Sequence, residues 1–444
     1  MYQPGMDRRK GISRTSPPQG EVPVGRAAKT ARIDRILGES DQHGDSGRET
    51  PNGARANGRR VTRTEPSLPS LPSVAPVLTV GVEEEYLLLD SEGGFPVPES
   101  ENVRSALRLM PSMDHEDQSE LLQAQIEVAT PVCQSLQEVG ENLTRLRTAV
   151  AGAVATTGCR MATCGAAPLR GTSPVPVTPE ARYQGIYADA RQLADEQLIN
   201  GMHVHVAVPD RDSGIGVLNR IRPWLPVLVA LGANSPFWDG VDTGFASWRT
   251  LVYGRWPASG PPPVFLDAAD YEARTQSLLD AGVIRDLGQV YWHARLSERY
   301  PTIEVRAVDV QLEIQDAVTL VGIIRALVDR SLREHRRAVP LPPVTCELAD
   351  AATWQAARRG LDGPLVDPLT GGRRSPAGVL NTLMHHISPV LRESGDFDRV
   401  ASGVQRLLRQ GNSAQRQRRA FADGGIDSVL ELITGRHASL GRIS

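Results

Sequence analysis

Four short segments of the chain alternate apolar side chains with ionisable ones, which favours strands that have one polar face. In GVEEEYLLLD (81–90), side chains two positions apart share a face, so Glu83 and Glu85 point one way and Glu84 the other. The same alternation appears in QAQIEVATP (123–131), NGMHVHVAV (200–208) and TIEVRAVD (302–309). Each segment therefore presents apolar residues on one face of a sheet and polar residues on the other.

The polar faces of the last three segments carry Gln125 and Glu127, His203 and His205, and Glu304 and Arg306. Taken singly, each face is explained by a half-exposed strand that shows charge to solvent. If the strands are neighbours, the faces converge into one acidic basin, where carboxylates repel one another and raise one another's pKa. Divalent cations relieve that repulsion, and carboxylates with an occasional imidazole suit Mg²⁺ or Mn²⁺. We therefore predict a metal site on this face.

The metal site bears on nucleotide binding, because Mg²⁺ is most often bound together with substrate phosphates. Neither GxxxxGK[ST] nor GxGxxG follows a predicted strand, so metals and not a glycine-rich loop would hold the phosphates. Arginines support this hypothesis, since guanidinium groups bind phosphates and carboxylates through paired hydrogen bonds. The candidates are Arg249, Arg255, Arg295, Arg299 and Arg306. Several could instead form surface ion pairs, which we expect for Arg299.

The first 76 residues differ in composition from the rest of the chain. They hold thirteen Lys and Arg residues against eight Asp and Glu and are rich in Gly, Pro and Ser. We therefore predict a disordered tail and linker over 1–76 and a globular domain over 77–444.

Strands and helices follow one another in the globular part without regular βαβ spacing. Predicted strands cover 77–90, 123–130, 160–166, 199–208, 288–296 and 302–310. Predicted helices cover 100–110, 134–156, 213–231, 268–281 and 314–336, and the region 376–435 is mostly helical. We predict an α+β fold in which one largely antiparallel sheet has helices packed on one side.

Charge, hydropathy and cysteine content exclude several classes of protein. The net charge of −3 provides no basic field for nucleic acid. No apolar run approaches the roughly 20 residues of a membrane-spanning helix, and the longest run, 224–233, contains Pro226 and predicts a buried helix. The four cysteines form no CxxC pair, which indicates reduced thiols and a cytoplasmic protein.

Seven blocks, in this order, carry a resemblance to a known family: GVEEEYLLLD, SELLQAQIEVATP, NGMHVHVAVPD, SWRTLVYGRWPASG, RYPTIEVRAVDVQ, WQAARRGLDG and GNSAQRQRRAF. Together they resemble the type 2 glutamate–cysteine ligase family of carboxylate–amine ligases, within the glutamine-synthetase-like superfamily. The resemblance implies a catalytic domain over 77–444. It also implies a curved antiparallel sheet that forms an open funnel, with helices on its outer side and ATP entering one end.

The resemblance also implies roles for individual residues. Ligands for Mg²⁺ or Mn²⁺ would be Glu83, Glu85, Glu120, Glu127, His203 and Glu304. Arg306 and Arg295 match arginines at the phosphoryl-transfer centre. His205 matches a position near the phosphates of ATP, and we also predict cofactor-binding roles for Arg249 and Arg255.

Two further positions complete the expected site, and a third is excluded from it. Asn200 and Gly201 precede the histidine strand and match positions at the amino-acid substrate. Glu84 points away from the polar face, so we assign it no role in the site and expect that the protein tolerates its replacement at modest cost.

The reaction that the resemblance implies joins the γ-carboxylate of glutamate to the amine of cysteine, or another amine, through an acyl phosphate. The partners are then small molecules, without nucleic acid or membrane, and the question of a homo-oligomer stays open. A phosphotransferase on the related fold and a metal-dependent hydrolase that uses the HxH pair are alternatives. A non-catalytic protein that binds ATP is a third.

Overall fold

The computed structural model describes residues 77–110 and 117–438. The predicted disordered tail at 1–76 lies outside the described residues, as does the end of the chain after 438. The described residues form one main antiparallel sheet with helices packed against it, which confirms the predicted α+β class.

The sheet is antiparallel throughout, as predicted. The strands are β1 Val80–Asp90, β2 Asp117–Gln118, β3 Gln125–Ala129, β4 Cys159–Ala162, β5 Gly201–Ala207, β6 Phe237–Trp238, β7 Val241–Asp242, β8 Ala294–Leu296, β9 Thr302–Asp309, β10 Leu365–Val366 and β11 Arg373–Arg374. The order across the main sheet is β2-β3-β1-β5-β9-β8, and β4 pairs with the C-terminal part of β1. The β6-β7 and β10-β11 pairs form two separate small sheets.

Helices connect the strands and make up the C-terminal part. They are α1 Ser100–Leu107, α2 Leu136–Thr157, α3 Ala181–Ala190, α4 Gln192–Asp195, α5 Arg211–Ile221, α6 Leu225–Gly232, α7 Trp248–Tyr253, α8 Ala268–Asp280, α9 Ile314–Arg336, α10 Cys346–Arg359, α11 Pro376–Glu393, α12 Phe397–Gln410 and α13 Ser413–Ala438. In the part of the chain that the structure describes, none of these helices has the length and apolar character to cross a membrane.

The structure differs from the predicted elements at a few places. The predicted helix at 213–231 is divided into α5 and α6 by a 3₁₀ turn that contains Pro223, because proline lacks the N–H that a helix interior needs. The predicted strand at 288–296 is shorter, since β8 holds only its last three residues. Helices α3 and α10 lie in segments where we predict no element.

The apolar face of the sheet packs on helices and forms the main core. Val82, Val204 and Val305 project from β1, β5 and β9 into a cluster that also contains residues of α5, α6 and α9. All eight residues of α6 are buried, as predicted for the apolar run. Burying each such side chain contributes about 1.5–3 kcal/mol. If the pairing of a strand slipped by one residue, the charged side chains of its other face would enter this core. Burial of the apolar face therefore fixes the strand register.

Glu84 faces this apolar side, and its side chain is completely buried. Arg147 of α2 donates two hydrogen bonds to it, from Nε to Oε2 at 2.9 Å and from Nη2 to Oε1 at 2.6 Å. The Tyr86 hydroxyl donates a third, at 2.6 Å. These contacts contradict the expected modest cost of replacing Glu84. Loss of the carboxylate would leave a buried guanidinium unpaired, which costs about 3–5 kcal/mol.

Candidate active site

Strand pairing brings the predicted ligands of four strands onto the other face of the sheet. The residues placed opposite one another are Glu85 and Glu127, Glu83 and His203, His205 and Glu304, and Glu304 and Arg295. The pairing of β5 with β9 shifts register between Met202 and Val204, at the position of His203. Irregularities of this kind re-aim a side chain. The acidic basin predicted from the period-two pattern is therefore formed.

Two groups of side chains in the basin have the geometry to hold a metal ion. One consists of Glu83, His203 and Glu304, and the other of Glu85, Glu127 and His203. Within each group the ligand atoms lie within 4.8 Å of one another. Carboxylate oxygens with one imidazole are a donor set that suits Mg²⁺ or Mn²⁺. The residues present therefore fit the predicted cations, and His203 belongs to both groups.

His203 is buried between two carboxylates. Its Nδ1 lies 3.1 Å from Oε2 of Glu83, and its Nε2 lies 3.5 Å from Oε1 of Glu85. Burial and the positive charge of Arg306 lower the pKa of His203, although the carboxylates act in the opposite direction. The neutral imidazole that results is the form that ligates metals.

The carboxylates of the basin differ in their affinity for protons. Burial, together with the negative charges of Glu83 and Glu120, raises the pKa of Glu127 well above its ordinary value. Burial acts in the same direction on Glu83, but hydrogen bonds with His203 and His205 outweigh it and lower the pKa of Glu83. Glu127 is therefore the carboxylate that holds a proton most readily. A bound cation would displace that proton, because a proton and a cation each neutralise the same negative charge.

Glu120 follows β2 in the chain and is placed beside these ligands. The negative charge of its side chain contributes to the raised pKa of Glu127, and Glu120 lines the pocket that holds these ligands. Among the described residues it belongs to neither of the two ligand groups. Its predicted role as a metal ligand therefore stays a prediction.

Two arginines hold Glu304 at the edge of the basin. Arg295 donates Nε to Oε2 at 2.8 Å and Nη2 to Oε1 at 3.2 Å, and Arg306 pairs with Oε1 as well. Burial would raise the pKa of Glu304, but the charges of Arg306 and Arg295 outweigh it and hold that pKa well below its ordinary value. The edge therefore combines a carboxylate whose low pKa favours the ionised form with two guanidinium groups.

Tyr253 is a pocket residue that our reading of the sequence misses. Its hydroxyl accepts a hydrogen bond from Nε of Arg306 at 3.0 Å. Arg249 lies four residues earlier on α7, with its guanidinium 5.1 Å from the centre of the Tyr253 ring. The i, i+4 spacing on one helix, which places both side chains on one face, was the available signal.

Arg249 and Arg255, the predicted cofactor-binding arginines, are placed differently. Arg249 is buried in the pocket wall and donates to the carbonyl oxygen of Arg306 at 3.3 Å. It passes so close to Gly201 that an added Cβ there would lie 2.3 Å from Nη2. Arg255 lies beyond the end of α7, pairs with Glu196 and is not among the residues that line the pocket. The geometry therefore gives no support to a cofactor-binding role for Arg255.

His205 lies on the pocket wall, two residues after His203 on β5. Its Nε2 is 3.3 Å from Oε1 of Glu83, and its Nδ1 is 3.0 Å from the hydroxyl of Thr302. Burial lowers its pKa, but the hydrogen bond that the ring donates to Glu83 and the charge of Glu304 outweigh burial and raise it. A raised pKa favours the imidazolium form.

The two residues expected at the amino-acid substrate lie behind the pocket wall. Asn200 is fully buried, and its Nδ2 donates to the carbonyl of Cys164 at 3.0 Å, so its side chain is used within the protein. The backbone N–H of Gly201 donates to Glu85. Neither residue lines the pocket.

The whole basin lies in one pocket of about 1270 Å³. All six predicted metal ligands line it, with His205, Arg249, Arg295 and Arg306. The strand direction divides the pocket into two ends on either side of the ligands. Thr79, Ala207 and Thr302 line one end, while Gln125 and Leu121 line the other. The lining of the pocket therefore extends along the strands on both sides of the ligands.

Comparison with known proteins identifies relatives of the chain. Residues 79–432 match the model of glutamate–cysteine ligase family 2. A protein of Mycobacterium sp. (strain KMS), provisionally named glutamate–cysteine ligase 2-2, is 43% identical over 361 residues, which cover 80% of this chain and 98% of the relative. One from Rhodopirellula baltica, provisionally named glutamate–cysteine ligase 2, is 40% identical over 357 residues, which cover 80% and 95%.

Solved structures share the fold at much lower sequence identity. The glutamate–cysteine ligase of Francisella tularensis, in complex with AMP, superposes with a TM-score of 0.62 at 11% identity and covers 83% of this chain and 89% of its own. A bifunctional glutathione synthetase from Pasteurella multocida gives a TM-score of 0.61 at 14% identity, over 82% and 52%. At these identities the likeness concerns the fold alone.

Proposed function

The chain belongs to glutamate–cysteine ligase family 2, and on that premise we propose that it is an ATP-dependent carboxylate–amine ligase. The carboxylate donor is glutamate, through its γ-carboxylate, and the amine acceptor is cysteine. One observation carries the proposal: two carboxylate–imidazole groups share His203 in a pocket whose lining extends along the strands on both sides of them. The substrates are small molecules. The four free cysteines agree with a cytoplasmic location.

The residues that would hold Mg²⁺ or Mn²⁺ are Glu83, His203 and Glu304 in one group and Glu85, Glu127 and His203 in the other. A bound cation supplies neutralisation of phosphate charge and fixes the orientation of the phosphates. Glu120, beside Glu127, adds negative charge that strengthens the attraction for a second cation.

The reaction consists of two displacements. A γ-carboxylate oxygen attacks the γ-phosphorus of ATP, the bond to ADP breaks, and an acyl phosphate forms. The amine nitrogen then attacks the acyl carbon, phosphate leaves, and the nitrogen loses a proton to give the amide. Both steps move negative charge between oxygens, so the chain contributes chiefly by positioning and by electrostatic stabilisation.

Arg306 is the residue best placed to stabilise the transferred phosphoryl group. It is held by Glu304 on one side and by the Tyr253 hydroxyl on the other. Two partners fix the guanidinium before the substrate arrives, so little reorganisation is needed during transfer. Arg295 acts through Glu304, whose carboxylate it holds with two hydrogen bonds.

The test is to incubate the purified chain with ATP, Mg²⁺, L-glutamate and L-cysteine, and to measure ADP together with the product mass. We expect ADP and a γ-glutamyl amide in equal amounts, both dependent on glutamate and amine. ADP with a phosphorylated product and no amide would favour the phosphotransferase. Turnover that needs metal but no ATP would favour the hydrolase. Absence of glutamate- and amine-dependent ADP would overturn the proposed substrates.

A matched pair of variants tests the site. Glu304→Ala is expected to lower turnover at saturating Mg²⁺ by about 100-fold or more, since a preorganised charge at the reaction centre is lost. Glu298→Ala removes an exposed carboxylate that lines the same pocket but belongs to neither ligand group. Glu298→Ala should retain activity. An equal loss of turnover in the two variants would contradict the role of Glu304 in the proposed metal site.

A further inference from the structure

One buried polar atom in the pocket wall accepts no hydrogen bond from the residues that the structure describes. It is Oε1 of Gln125, on the pocket face of β3 two residues before Glu127. The residue is only 3% exposed, yet it lines the pocket. An unpaired buried carbonyl is unfavourable, and native structures seldom leave one without a partner. A ligand in the pocket is therefore its natural partner.

The orientation of this amide is fixed by its other end. Nε2 of Gln125 donates to the carbonyl oxygen of Ile199 at 2.7 Å and to Oδ1 of Asn200 at 3.1 Å. Asn200 is itself oriented, because its Nδ2 donates to the carbonyl of Cys164. A rotated Gln125 amide would set oxygen against two oxygens. The atom left for the pocket is thus an acceptor, and it requires a ligand with an N–H or O–H group.

The charge around Gln125 selects among such donors. Glu127 follows on the same face of the strand, and Glu120 lines the same pocket. Glu85 lies opposite Glu127 on β1. A cationic donor gains from these carboxylates as well as from the carbonyl dipole, so a primary ammonium group is the ligand chemistry that fits best.

The distance along the strand matches one part of the donor substrate. Side chains two residues apart on a strand are separated by about 6.6 Å. In glutamate, four bonds of about 1.5 Å connect the γ-carboxylate carbon to the α-nitrogen, so an extended molecule spans about 5 Å. A γ-carboxylate beside the metal ligands would therefore bring the α-ammonium group to Gln125.

We propose that Oε1 of Gln125 binds the α-ammonium group of the carboxylate donor and makes the site specific for an α-amino acid with a side-chain carboxylate. The inference rests on the proposed function for the position of the reacting carboxylate. It assigns the donor to the end of the pocket lined by Gln125 and Leu121. ATP then occupies the end lined by Thr79, Ala207 and Thr302.

The experiment measures equilibrium binding by calorimetry with Mg²⁺ present, using L-glutamate and glutarate, which lacks only the α-amine. The unaltered chain should bind L-glutamate roughly 10- to 100-fold more tightly than glutarate, as expected for a hydrogen bond to a charged group. Gln125→Met should weaken L-glutamate binding by a similar factor and leave glutarate binding unchanged. Gln123→Met is the matched control, since Gln123 donates to Val177 and does not line the pocket. It should change neither affinity.

Several results would overturn the proposal. Equal affinity of the unaltered chain for glutarate and L-glutamate would do so even if no variant folds, as would an absence of L-glutamate binding. Equal weakening of both ligands in Gln125→Met would reduce Gln125 to a structural role. Failure of the proposed function looks different. The unaltered chain would still bind L-glutamate more tightly than glutarate, but no glutamate-dependent ADP would form.

Discussion

Neighbouring glutamates on β1 place their negative charges in two different environments. Glu84 points towards the helices, where Arg147 and Tyr86 satisfy both of its oxygens and no part of it reaches solvent. Glu83 and Glu85 point towards the pocket, where the neighbouring ionisable groups are histidines and further carboxylates. The chain supplies the counter-charge on the first face and leaves it incomplete on the second.

The difference shows how to distinguish a structural charge from a functional one. The residues that line the pocket include eight carboxylates and five arginines, a formal excess of three negative charges. Such an excess is unfavourable in the protein alone and favourable only with a cationic ligand. A buried charge with a complete set of protein partners stabilises the fold, whereas one without such a set indicates a binding site.

We call the helix-packed face of β1, which holds Glu84, the closed face, and the pocket side, which holds Glu83 and Glu85, the open face. The largest effect is expected from a substitution on the closed face. Glu84→Gln should lower the free energy of unfolding by about 3–5 kcal/mol, because it leaves the Arg147 guanidinium buried without its counter-charge. Urea denaturation measures this change. Glu85→Gln, one residue away on the open face, should change stability by about 1 kcal/mol or less. Equal losses in the two variants would erase the contrast between the faces.

The open face should respond chiefly in activity. Glu83→Gln is expected to reduce ATP-dependent turnover by about 100-fold or more, since it weakens the first metal group, and to lose less stability than Glu84→Gln. Chelation of Mg²⁺ with EDTA should abolish turnover in the unaltered chain. A Glu83→Gln variant with ordinary activity would show that Glu83 is not a metal ligand.

Glu127 links the open face to pH. Its pKa is raised in the folded protein, so between its unfolded value near 4.5 and that raised value the folded form binds more protons than the unfolded form. Without metal, stability should therefore fall as pH rises, with a slope of up to about 1.4 kcal/mol per pH unit. Urea denaturation in EDTA across pH 5–8 measures the slope.

The matched variant removes the titrating group. Glu127→Gln should flatten that slope and leave the chain more stable than the unaltered protein at pH 8 in EDTA. Added Mg²⁺ should then stabilise the unaltered chain more than the variant, because binding to the native state adds to its stability. A slope that persists in Glu127→Gln would place the proton elsewhere.

The smallest expected change concerns Tyr253. Tyr253→Phe removes the hydroxyl that accepts from Arg306 but keeps the ring, so turnover should fall about 10-fold with little change in stability. Steady-state kinetics measures this loss. Tyr300→Phe, a more exposed tyrosine that also lines the pocket, is the control. Similar losses in both would indicate that the Arg306 contact is unimportant.

Period-two alternation was enough to predict the sheet, its polar face and the division of Glu83 and Glu85 from Glu84, because side-chain direction along a strand is a local property. The partner of Glu84 was beyond local reach, since Arg147 lies 63 residues further along the chain. The spacing of Arg255 from Arg249 could not show whether both reach the pocket, because α7 ends at Tyr253, and the cofactor-binding role of Arg255 stays a prediction. The strand register that joins Glu83 to His203 also depends on long-range pairing.

The formal excess of negative charge in the pocket also determines the order in which molecules arrive. A nucleotide without cations carries the same sign as the basin, so its approach is slowed, and the delay lengthens as ionic strength falls. A nucleotide that arrives already complexed with Mg²⁺ brings part of the missing positive charge with it. Under the proposed function, the charge of the pocket would therefore favour a nucleotide that arrives together with its cation over a free one.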